Sequence, residues 1–91
     1  MSDNDGQRHM KLINRFVEIA NAMKDEGHPV EMVNHAMMCA SSIYASYSVA
    51  GNEGFLQDSG IDKVSGMYRD QLVRVREMRQ QELKAQGKLE D

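Results

Sequence analysis

One cysteine, one proline and no tryptophan stand in these 91 residues. A lone cysteine, Cys39, cannot form an intramolecular disulfide, so a reducing, cytoplasmic compartment is expected and disulfide-scaffold folds are excluded. The same thiol reads as a small buried hydrophobe. Aromatic residues are scarce, at 5% of the chain. Tyr44, Tyr47 and Tyr68 fall at helical spacing, which predicts core aromatics with their hydroxyls at the edge rather than a base-stacking set. Positive charge is not in excess. Eleven Lys and Arg against fourteen Asp and Glu leave a net charge of -3. That balance disfavours a general nucleic-acid binder and a polybasic membrane-surface protein. The first fifteen residues, MSDNDGQRHMKLINR, contain no apolar core segment, and no secretory signal is expected. Gly51, Gly54 and Gly60 precede no Gly-Lys-Ser or Gly-Lys-Thr, so they form no phosphate-binding loop of the known kind.

Charge is also missing locally. Val33 to Ala50, VNHAMMCASSIYASYSVA, carries no formal charge and consists mostly of small residues. Asn34, His35 and the serines make it too polar for a membrane span. Small side chains let neighbouring backbones approach closely, so the segment reads as the central helix of an all-α domain, covered on more than one face.

The rest of the chain supplies two further helices. From Gln7 to Glu26, Leu12, Ile13, Phe16, Val17, Ile19, Ala20 and Met23 gather on one broad face at about 100° per residue. Gly27 ends this helix and Pro29 begins the next, which predicts a tight antiparallel hairpin of helices over 7–26 and 29–50. Residues 51–60 read as a loop whose Phe55 and Leu56 plug back onto the helices. Ser59 and Asp62 match a capping box. A third helix over 60–85 follows, with Ile61, Val64, Met67, Tyr68, Leu72, Val75 and Met78 at spacings of three and four. This helix is expected to pack across the hairpin, and Gly66 inside it suggests close approach by another backbone. Residues 1–6 read as a flexible leader, 7–86 as one domain and 87–91 as a frayed tail.

Chemistry-bearing constellations are few. Glu31, His35 and Cys39 are spaced i, i+4, i+8, a drift of only about 40° per step that lets neighbours converge. Zinc accepts all three ligand types, but one helix rarely supplies three ligands, and no metal or cofactor is expected. Cys39 has His35 one turn away, but nothing marks the pair as a nucleophile with its base and orienting group. The chain therefore reads as a non-enzyme. Arg69, Arg76 and Lys84 on the third helix form a basic set diluted by Asp70, Glu77 and Glu82. Their main reading is a solvated face, and their second is contact with nucleic acid or an acidic partner.

A resemblance accompanies these readings. The order Phe16-Val17-Glu18-Ile19-Ala20-Asn21, Glu26-Gly27, Val33, Ala36-Met37-Met38, Ala40-Ser41, Tyr44, then Tyr68-Arg69 and Leu72 resembles a family of small bacterial helical proteins known as domain of unknown function three-one-four-four. The similarity covers about residues 14–75, and the Arg- and Gln-rich stretch from Arg74 to Lys88 departs from it. The resemblance implies a bacterial, cytoplasmic, all-helical protein. It implies no activity and no catalytic residue.

These observations lead to one expectation of function. The near-uncharged back of the second helix, with His35, Met38, Ser42 and Ser46, is expected to bind another protein. An adaptor, or an inhibitor of a larger bacterial or phage machine, would have such a face. A homodimer or higher oligomer is expected, with no membrane contact and with nucleic acid as the lesser alternative.

Overall fold

The computed structural model describes residues 3–51 and 53–89. Three helices make up an all-α fold: α1 (Asp3–Asp25), α2 (Val30–Ala50) and α3 (Asp58–Ala85). No strand occurs among the described residues. The chain divides into two compact units, Met1–Tyr44 and Ala45–Asp91.

The first unit holds α1 and most of α2 as a helical hairpin. Gly27 adopts φ 105°, which an L side chain rarely tolerates. Its N–H donates to the Lys24 carbonyl at 2.9 Å, and the His28 N–H donates to the Met23 carbonyl at 3.3 Å. This pair of bonds is the Schellman closure. Pro29, which has no N–H to waste, accepts from the Val33 N–H at 3.0 Å and so occupies the first position of α2 that bonds into the helix. Val33, one turn into α2, is buried at 7% exposure. It is the only buried residue among those described.

The second unit joins the last turns of α2 to α3. Ala45, Ser46 and Ala50 are half-buried there. A Cβ on Gly60 would lie 3.0 Å from the Leu56 Cδ2 and 3.3 Å from the Val49 Cγ1, so glycine lets the start of α3 sit against the end of α2. Leu56 docks as the sequence suggests, but Phe55 beside it is 73% exposed and plugs nothing.

Several sequence expectations change. α1 begins at Asp3, so residues 3–6 are helical rather than a leader; Met1 and Ser2 lie outside the described residues. The Arg8 guanidinium pairs with the Asp5 carboxylate across one turn at 2.6 Å, an i, i+3 contact that favours helix in this polar stretch. α3 is preceded by Gln57 as its cap, with no side-chain hydrogen bond, so Ser59 lies inside the helix and forms no capping box. A Cβ on Gly66 would meet nothing within 4 Å, so no described backbone of the second unit crosses there. The tail is tied rather than frayed as far as Lys88, whose N–H donates to the Leu83 carbonyl at 2.8 Å in a second Schellman closure at Gly87; Glu90 and Asp91 lie outside the described residues.

The largest departure concerns α2. It is not enclosed on more than one face. Tyr44 is 77% exposed, Tyr47 and Tyr68 are exposed rather than core, and Cys39 is an exposed thiol. The physical reason is the same smallness that marked the segment. Alanine and serine bring little bulk to cover a neighbour.

Candidate functional site

Two surfaces carry the residues singled out from sequence. The first is the uncharged back of α2. His35, Met38, Ser42 and Ser46 follow each other at spacings of three and four, so one helix face presents all four. Ser46 is half-buried and the other three are exposed. Much of their polarity is spent within the helix. The Ser42 hydroxyl donates to the Cys39 carbonyl at 2.7 Å. The Asn34 amide donates to the Met38 sulfur at 3.7 Å. The His35 Nε2 lies 3.8 Å from the Cys39 Sγ. Such back-bonding is the usual behaviour of serine inside a helix. From His35 to Ser42 the result is an exposed face about 10 Å long, at 1.5 Å per residue, with little charge to desolvate. It is a surface that loses little by leaving water.

The His35–Cys39 contact does not extend into a metal centre. Glu31 joins neither residue, and no group of three His, Cys, Asp or Glu side chains placed to hold a metal ion occurs among the described residues. Nothing orients His35 against the thiol, as nucleophilic catalysis would require.

The second surface lies on α3. Ser65, Tyr68, Arg69, Leu72, Val73 and Arg76 line an open groove of about 380 Å³. The structure thus brings Arg69 and Arg76 together, one turn pair apart, beside the apolar Tyr68 and Leu72. Among the described residues neither arginine forms an ion pair, whereas Arg79 pairs with Glu82 at 3.0 Å. Lys84 does not line the groove. Sequence reasoning named the two arginines but missed Tyr68 and Leu72 as their neighbours, because it assigned both to the core. Leu72, three residues after Arg69 and four before Arg76, was the available signal, with Tyr68 next to Arg69.

Beyond these two surfaces, apolar exposure is general. Leu12, Phe16 and Ile19 on α1 and Met32, Ile43 and Tyr47 on α2 are all exposed. No helix of the described residues is long and apolar enough to cross a membrane. No protein-family model matches the chain, and no curated protein or solved structure matches it.

Proposed function

We propose that this chain is a non-catalytic helical protein that acts by binding another protein, and that it also self-associates. The observation that carries the reading is the imbalance between one buried residue, Val33, and the many large apolar side chains left in water. Surfaces of that kind on soluble proteins mark protein contacts. The α2 face is the proposed partner contact, with Met38 as its adaptable member and His35, Ser42 and Ser46 around it. An adaptor, or an inhibitor of a larger bacterial or phage assembly, fits a small chain that offers such a surface. A cytoplasmic setting agrees with the exposed free thiol.

The test is substitution on that face. Ser42→Arg and Ser46→Glu place charge where none exists and are expected to abolish partner capture while helicity and oligomer mass are kept. Unchanged partner capture would sink the reading.

A second reading rests on Arg69 and Arg76, two arginines without ion pairs in one groove. With Lys84 they could contact nucleic acid. Two arginines on a chain of net charge -3 form a small electrostatic footprint. Absence of DNA or RNA retention on a filter at low salt would remove this alternative.

A further inference from the structure

We infer that α3 is a self-recognition element that pairs antiparallel with α3 of a second copy of this chain. The inference rests on the reading of the chain as self-associating, and the α2 face takes no part in it.

The argument begins with the seven-residue register of α3. Ile61, Tyr68, Val75 and Glu82 recur every seventh residue, and Val64, Gln71, Met78 and Ala85 recur three residues after them. That is the seam of a two-helix coil. Ile61, Tyr68, Val75 and Met78 are exposed and Val64 is half-buried, so most of the seam lacks a partner among the described residues.

Charge selects the direction. A parallel, in-register pair would set Glu82 against the partner's Glu82 inside the seam, and Arg74 against the partner's Arg79 along its edge. Both contacts repel. The antiparallel pair removes both conflicts. Ile61 then meets the partner's Met78, Val64 meets the partner's Val75, and Tyr68 meets the partner's Gln71. In the same register Asp58 lies beside the partner's Arg79, an opposite-charge contact made twice by symmetry. Glu82, which pairs with Arg79 within its own helix, lies at the same contact, so Arg79 stands between two carboxylates. Two features therefore agree on one register: the apolar layers and the Asp58–Arg79 contact.

Charge reversal tests this register directly. Asp58→Arg alone sets two arginines together, and Arg79→Glu alone sets two carboxylates together. Each is expected to raise the dimer dissociation constant at least about ten-fold, read by light scattering across a concentration series. Mixing the two variants should restore the dimer, because each mixed contact is again Arg against an acid. The double variant D58R/R79E should dimerise on its own for the same reason, which separates loss of pairing from loss of folding. In a parallel pair, residues 58 and 79 would lie about 30 Å apart, and no rescue could occur. A wild-type chain that stays monomeric, single variants with unchanged mass, or a mixture that fails to recover would each overturn the inference. If the single variants keep wild-type mass while Ser42→Arg still abolishes partner capture, the α3 pairing falls and the α2 reading stands.

Discussion

Replacing Gly66 by alanine should stabilise the protein. Gly66 lies in the interior of α3, where glycine costs about 1 kcal/mol relative to alanine because its backbone is freer in the unfolded chain. A Cβ there would meet no atom within 4 Å, so the substitution adds no clash to offset the gain. Gly66 also lies on the side of α3 away from the Tyr68–Val75 seam, so pairing of two copies leaves it open. The expected gain is about 1 kcal/mol, which for a domain of this size raises the melting temperature by about 4–8 °C. Urea unfolding followed by circular dichroism at 222 nm, at one fixed protein concentration, measures it. The midpoint should rise and the slope should stay the same. A fall in the midpoint would refute the reasoning, since it would mean that another backbone or side chain packs on Gly66.

Two further substitutions probe the first unit. Gly27→Ala should destabilise by about 1–2 kcal/mol, because φ 105° strains any L side chain while the Schellman bonds hold the turn in place; a calorimetric melt no lower than wild type would contradict this. Val33→Ala removes two methyl groups from the one buried side chain, at about 0.8 kcal/mol each plus a cavity contribution, for roughly 2 kcal/mol. Met38→Ala, on an exposed residue, should cost distinctly less in the same urea titration, and equal costs would count against the burial pattern.

The helices were legible in the sequence, and their ends were legible where glycine or proline fixed them. Gly27 and Pro29 place the first turn because one supplies a positive φ and the other lacks a donor, and both properties are local. The start of α1 was not legible, because Asp3–Gly6 has no apolar periodicity and its helix draws support from the Arg8–Asp5 contact. Ser59 misled for a similar reason. The capping pattern is a statement about side-chain hydrogen bonds, and α3 begins two residues earlier without one. Burial was the least legible property. Periodicity says which side of a helix is apolar, but not whether this chain or another one covers it. Tyr44, Tyr68 and Cys39 were assigned to a core on that pattern, and each is exposed. The α3 arginines show the converse. Their seven-residue spacing put them on one face, and the groove beside Tyr68 and Leu72 required the structure.

The central claim is that this chain's apolar surface is covered by a second copy. Solution mass by light scattering after size exclusion, over a wide range of protein concentration, tests it most directly. The account predicts a species of about twice 10.3 kDa that dissociates on dilution. A mass of one chain at every concentration would contradict it.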